Sequence, residues 1–274
     1  MNFLDGFLTR NGLRLRGHVE GRAGRAALLI HGLGDHARAM PYLRLRAALV
    51  DAGWRVYSFD LPGHGMSEGE RVYTPAWRCL SDDVNDVIEA AAERENRAIF
   101  VLGLSMGGLL ALHAALQARR GSVAGVVAMA PALSPEGVPW ILRKALPWIA
   151  RVTHTTPLPT GLRPREISRD ASVVAEYLRD ALFQRKCSPG LAMAILEGME
   201  VVQAGAKNTQ VPLLMLHGSA DRIAPAHASA RFMENAGALD KERKVYRGAR
   251  HNLLLESNSD EVIGDVVAWL AARA

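Results

Sequence analysis

Ten consecutive residues limit what this chain can fold into more than any others: Ile99-Phe100-Val101-Leu102-Gly103-Leu104-Ser105-Met106-Gly107-Gly108. An apolar, strand-prone run enters a Gly-x-Ser-x-Gly turn, and a helical pattern leaves it. That is the signature of a strand–turn–helix carrying a serine at its apex. The glycines give the chain room to double back around a strained Ser105 backbone. Ser105 then stands at the end of a strand, beside the free N–H groups of a helix N-terminus, which makes it a candidate nucleophile. In a chain with 25 Gly a plain glycine-rich turn could also produce these five residues. The strand before and the helix after are the context that favours the nucleophile.

The chain has 274 residues, which suits one α/β domain with an insertion. At 49% hydrophobic it can bury a large core, and no apolar run reaches the length of a membrane span. The N-terminus lacks a basic region followed by an apolar stretch, so no secretory leader is expected and a cytoplasmic location is the default. Cys79 and Cys187 suggest neither a metal site nor a disulfide framework. The net charge of +5 comes from scattered arginines interspersed with acids, and no nucleic-acid motif accompanies it. A solvated surface is the expected reading, with attraction to an anionic lipid surface left open.

Strand and helix patterns alternate along most of the chain. Asn11-Gly12 between two short apolar runs predicts a hairpin. Residues 26–30, 54–59, 99–104 and 123–130 read as strands, with helical spacing over 41–52 and 76–95. This rhythm implies a mostly parallel sheet covered on both faces, with functional loops at the C-terminal ends of its strands. Residues 131–209 break it with Pro135, Pro139, Pro147, Pro157, Pro159 and Pro164, and with helical patterns over 170–183 and 190–204. They predict a helical cap inserted into a core made of 1–130 and 210–274. The sheet resumes at 211–216, followed by helix 225–237, strand 242–247 and helix 259–273.

A serine hydroxyl needs a base within hydrogen-bond reach, and the base needs an orienting acid. With the serine on such a turn, the chain order is Ser, then Asp or Glu, then His. Asp221 lies just past the resumed strand, and His251 follows the last one. Asp221 also suits a helix cap ahead of Pro225, and His251 a surface loop; their order and placement relative to Ser105 favour acid and base. His217 and His227 compete for the base, but His217 reads as a packed residue and His227 as part of a helix start. Asp60 precedes Ser105, the wrong order for the acid. Two backbone N–H groups are needed to hold a developing oxyanion. Met106 supplies one, and the His31-Gly32-Leu33-Gly34 loop the other, through Leu33 or, as the fallback, Gly32.

Five segments together resemble the α/β-hydrolases: His31 to His36, Phe59 to Gly69, Gly103 to Gly108, Gly218 to Arg222, and His251. They are most similar to the monoacylglycerol lipase and lysophospholipase branch, the serine-aminopeptidase-like hydrolases. Ile167 to Asp170 and Tyr177 to Asp180 are similar to the same branch. The resemblance implies an eight-stranded, mostly parallel sheet and a triad of Ser105, Asp221 and His251, with Leu33 and Met106 as oxyanion donors. It implies a carboxylic-ester hydrolase with neither metal nor organic cofactor, acting on a single-chain lipid ester through an acyl-enzyme. Val138, Trp140, Ile141, Leu142, Leu146 and Trp148 would line an apolar tunnel in the cap, with Leu254 counted beside them. Transient contact of the cap with a membrane surface is the partner class this leaves open, and no nucleic acid is expected. The branch often carries Glu at position 35, an Arg-Tyr pair at 39–40 and a histidine at 254, where this chain has Asp35, Ala39-Met40 and Leu254. These departures put a glycerol leaving group in question. The competing readings are a proline-type aminopeptidase, which needs an acidic anchor such as Glu136, Glu166 or Glu176, a short-chain carboxylesterase, and a catalytically silent ligand-binding protein on the same fold.

Overall fold

The computed structural model describes residues 4–117 and 121–274. A small ladder opens the chain, β1 (Phe7–Leu8) against β2 (Arg14–Leu15), closed across Asn11-Gly12 with Gly12 at φ 80°. β3 (Gly17–Glu20), β4 (Ala26–Ile30), α1 (Met40–Asp51) and β5 (Arg55–Phe59) follow. α2 (Trp77–Glu95), β6 (Ile99–Leu104), α3 (Met106–Gln117) and β7 (Val123–Met129) keep the alternation. The next stretch holds α4 (Trp140–Val152), β8 (Leu158–Pro159), α5 (Pro164–Ile167), α6 (Ala171–Tyr177), β9 (Lys186–Cys187) and α7 (Pro189–Gly205). β10 (Leu213–Gly218), α8 (Ala226–Asn235), β11 (Lys241–Tyr246) and α9 (Ser259–Ala271) complete the fold.

The main sheet runs β11-β10-β7-β6-β4-β5-β3, parallel throughout except for the antiparallel edge strand β3. Among the described residues it has seven strands, not the expected eight, because the N-terminal segments pair with each other instead of joining it. Successive side chains of a strand face opposite sides, and both sides are apolar here. Leu28 and Ile30 of β4 pack with α2, α3 and α7, while Ala27 and Leu29 pack with α1 and α9. The helical spacing predicted over 76–95 becomes α2, which buries Leu80, Val84, Val87, Ile88 and Ala91. β10 starts two residues later than expected because Pro212 has no N–H to give a ladder.

The stretch between β7 and β10 differs from expectation in two ways. The helix predicted over 170–183 stops at Tyr177, since Asp180 folds the chain into a turn by accepting from the Leu182 N–H. α7 packs into the same apolar cluster as α2 and α3, through Leu191, Ala194, Ile195, Met199 and Val202.

All the parallel strands end on one edge, which gathers the loops after β4, β6, β10 and β11. The β6–α3 turn allows no side chain at its glycines. A Cβ on Gly103 would overlap the Gly107 carbonyl, and one on Gly107 would overlap the carbonyls of Ile30 and His31. Gly107→Ala is therefore expected to lower the thermal midpoint, at a cost of about 1–3 kcal/mol or more. Gly264→Ala, with open space around its Cβ in α9, is expected to stabilise by up to about 1 kcal/mol through helix propensity. Thermal unfolding of the two variants beside wild type checks both signs.

Candidate active site

Ser105 sits between the last residue of β6 and the first of α3, with φ at 57°. Its N–H donates to Met129 O at 2.9 Å, and its own carbonyl accepts from Leu109 N and Ala132 N. The backbone of the apex is thus held on both sides, and the hydroxyl takes no part in holding it. Ser105 Oγ lies 2.9 Å from His251 Nε2, and His251 Nδ1 lies 2.8 Å from Asp221 Oδ2. A carboxylate only accepts, so His251 Nδ1 keeps its proton and donates it in a hydrogen bond to Asp221, which leaves the Nε2 lone pair facing the serine hydroxyl. The structure brings these three residues together from the ends of three strands.

Asp221 is held from four directions. Its Oδ1 accepts from Ile223 N and Ala224 N, both at 2.9 Å, and its Oδ2 also meets His217 Nε2 at 3.2 Å. His217 Nε2 faces the Ala224 carbonyl at 2.6 Å as well, so that nitrogen carries the proton. Burial works to raise the Asp221 pKa. The charge of His251 and hydrogen bonds from His217, His251 and Ala224 N overcome it, holding the carboxyl well below the usual range. Asp221 does not cap α8, whose start at Ala226 has no side-chain cap; its Oδ1 instead closes the turn at Ile223 and Ala224. His217 is packed, as expected, but it packs on the acid itself. His227 pairs with Glu136 at the surface.

The loop after β4 closes over the serine. A Cβ on Gly32 would stand 3.4 Å from Ser105 Cβ. The Gly32 N–H donates to Tyr42 Oη at 3.0 Å, which removes the fallback oxyanion donor. Leu33 lines the cavity above Ser105, and Met106 is the first residue of α3, whose initial N–H groups lack intrahelical acceptors. Asp60 accepts from Ala37 N and Met66 N, and so ties neighbouring loops together. His31 and His64 are buried beside it, and that burial pushes each pKa down to about 3.

The cavity is about 270 Å³ and mostly apolar. Val138, Leu142 and Leu146 line it. Trp140, Ile141 and Trp148 do not; they are 64%, 65% and 67% exposed on the outer side of α4, because a helix turns only one face inward. Leu254 is buried in the apolar cluster with α1 and α9, outside the lining. Ala39 is buried in that cluster as well, and Met40 packs against it. Glu136, Glu166 and Glu176 are absent from the lining, and the carboxylate that does line it is Asp35. Residue-by-residue reading missed Glu256, which is buried and accepts from Arg250 N at 2.8 Å and from Arg169 Nε at 2.6 Å. It fastens the His251 loop to residues 166–170, where Asn252 N also donates to Ile167 O.

Residues 22–258 match the family described as serine aminopeptidase, S33. The chain belongs to this family. It is also 32% identical over 254 residues to the monoacylglycerol lipase of Mycolicibacterium smegmatis, covering 90% of this chain and 88% of that one. An uncharacterised α/β-hydrolase-domain protein of Dictyostelium discoideum is 30% identical over 251 residues, but the chain spans only 26% of its length. The crystal structure of Paleococcus ferrophilus monoacylglycerol lipase matches with a TM-score of 0.86 at 31% identity, covering 95% of this chain and 100% of that chain. Within this serine aminopeptidase family member, Ala39, Met40 and Leu254 stand as apolar packing positions.

Asp35 Oδ2 accepts from Tyr42 Oη at 2.8 Å and from Tyr177 Oη at 3.1 Å, and Oδ1 accepts from His36 N. Burial outweighs these donors and the nearby His36, pushing the carboxyl up to about 6. A folded-state pKa raised above the unfolded value means that the native state binds the extra proton. Its stability contribution is full below about pH 4 and is lost as pH rises through about 6. The stability difference between wild type and Asp35→Asn is therefore expected to narrow between pH 4 and pH 7, read from urea midpoints at each pH.

Proposed function

We propose that this protein is a serine carboxylic-ester hydrolase acting on single-chain lipid esters such as monoacylglycerols or lysophospholipids. The observation that carries this reading is the Ser105–His251–Asp221 chain of hydrogen bonds at the floor of an apolar cavity. Ser105 Oγ attacks the ester carbonyl carbon while His251 Nε2 takes its proton. Asp221 orients the ring and stabilises the imidazolium that forms. The N–H groups of Leu33 and Met106 hold the oxyanion, each worth on the order of 10²–10³ in rate. His251 returns the proton to the departing alcohol, then activates the water that cleaves the acyl-enzyme.

Residues 131–209 serve in this reading as a cap over the cavity. Exposed Leu142, Leu158 and Leu162 all line the cavity, which suits an acyl chain entering between them. The names borne by the relatives point to the same substrate class. An aminopeptidase would need a free carboxylate for the substrate amine, and Asp35 already accepts from two hydroxyls and a backbone N–H.

Ser105→Ala is expected to reduce p-nitrophenyl ester turnover by about 10⁴-fold or more, and a fluorophosphonate probe should label wild type but not the variant. Medium acyl esters should be turned over faster than acetate, and aminoacyl-naphthylamides scarcely at all. Wild type that is inert on every ester, or unaffected by Ser105→Ala, ends this reading.

The outer face of α4 fits a lipid surface. Trp140, Ile141, Trp148 and Val152 are exposed together, with Lys144 and Arg151 on the same helix and Arg151 stacked 4.7 Å over Trp148. Trp residues and basic side chains suit the boundary between headgroups and acyl chains. Replacing Trp140 and Trp148 by Ala together should weaken co-sedimentation with anionic vesicles by about tenfold or more. Turnover of a water-soluble ester by the same variant is the control for intact folding.

A further inference from the structure

The buried Asp35–Tyr42–Tyr177 trio has no part in the acyl-transfer steps, yet it sits against the loop those steps depend on. Tyr42 Oη is a two-way link: it accepts from Gly32 N at 3.0 Å and donates to Asp35 Oδ2 at 2.8 Å. Because the Tyr42 hydroxyl hydrogen is directed at the carboxylate, a lone pair of Tyr42 Oη is left pointing at the Gly32 N–H. Asp35 N donates in turn to Gly32 O at 3.2 Å. The peptide linking Gly32 to Leu33 is planar and trans, so its N–H points opposite to the fixed carbonyl. Anchoring both the N–H and the C=O of Gly32 therefore fixes the direction of the Leu33 N–H.

The third member comes from the cap. Tyr177, the last residue of α6, donates to the same Asp35 oxygen at 3.1 Å. Two more contacts join the same stretch to the same loop: His36 Nε2 with Asp180 Oδ2 at 2.9 Å, and Gln184 N to Gly34 O at 2.7 Å. Gly34, at φ 74°, has no room for a side chain against the Gln184 carbonyl. Residues 177–184 are thus fastened along the length of the β4–α1 loop.

We propose that Tyr42 and Asp35 are positioning residues for the Leu33 oxyanion donor, and that Tyr177 makes docking of the cap a condition for that donor being correctly aimed. The proposal rests on the serine-hydrolase reading above. Oxyanion stabilisation depends on donors already aimed where charge will develop. A misdirected N–H costs rate in the transition state while leaving ester binding in the apolar cavity almost untouched.

The test compares Tyr42→Phe and Tyr177→Phe with wild type on a p-nitrophenyl ester, each first titrated with a fluorophosphonate. Tyr57→Phe is the control, since it deletes a hydroxyl bonded to Glu95 outside the cavity lining. Both test variants are expected to lose about tenfold or more in kcat, part of one donor's worth, with KM moving by less than about threefold. Their affinity for an alkyl trifluoromethyl ketone, which presents an oxyanion once attacked, should fall in step with kcat/KM. Tyr57→Phe should keep its kcat whatever its thermal midpoint. A Tyr42→Phe enzyme that labels normally and keeps kcat within about twofold, or whose loss lies in KM alone, overturns the proposal and leaves the hydrolase reading standing. Wild type that neither turns over esters nor takes up the probe overturns both.

Discussion

The tightest constraint in this structure is the passage of the backbone through Gly103 and Gly107. At that point the chain leaves the sheet, reverses around Ser105 at φ 57°, and enters α3, with Gly107 pressed against the carbonyls that end β4. A non-glycine residue held in the left-handed region costs of order 1–3 kcal/mol and persists only where its surroundings over-determine it. They do so here. The Ser105 N–H and carbonyl are both engaged, and β4 and β7 flank β6 in the middle of the sheet. The same closeness brings the β4–α1 loop against the serine, so one steric fact places both the hydroxyl and the loop above it.

The other side chains of the site arrive through a second close approach. Gly218, at the end of β10, lies against the carbonyls of Ala249 and Arg250, and Ala220 N donates to Ala249 O. The acid and the histidine are thereby brought within hydrogen-bond reach across two neighbouring parallel strands. Asp221 stays charged despite its burial because four donors surround it, and one of them, His217, is itself wholly buried. A buried carboxylate is tolerated only when it is satisfied in this way.

Much of this was legible in the sequence because it is local. The turn at Ser105, the strand-end positions of Asp221 and His251, and the amphipathic period of α2 are each encoded within a few residues. What was not legible depends on which way a side chain points after long-range packing. Apolar composition alone drew Trp140 and Trp148 into the expected tunnel, yet the phase of α4 turns them outward and leaves Leu142 and Leu146 to the cavity. Pairing of the N-terminal segments with each other, which removes the eighth strand, depends on partners as much as on propensity. Asp35 carried no local mark of being buried between two tyrosines, one of which, Tyr177, lies 142 residues further along the chain. Glu256 was silent for the same reason: its partner Arg169 is 87 residues away.

The absence of a side chain at Gly34 has a consequence for how such a chain can change. Its φ of 74° and the Gln184 carbonyl packed against it mean that the loop and the distant segment fit as one moulded joint. The stretch between β7 and β10 is therefore not interchangeable. A chimera that swaps residues 131–209 for another sequence must reproduce the backbone path at 184, or it will push the loop beside Ser105 out of place while leaving Ser105, Asp221 and His251 themselves unchanged.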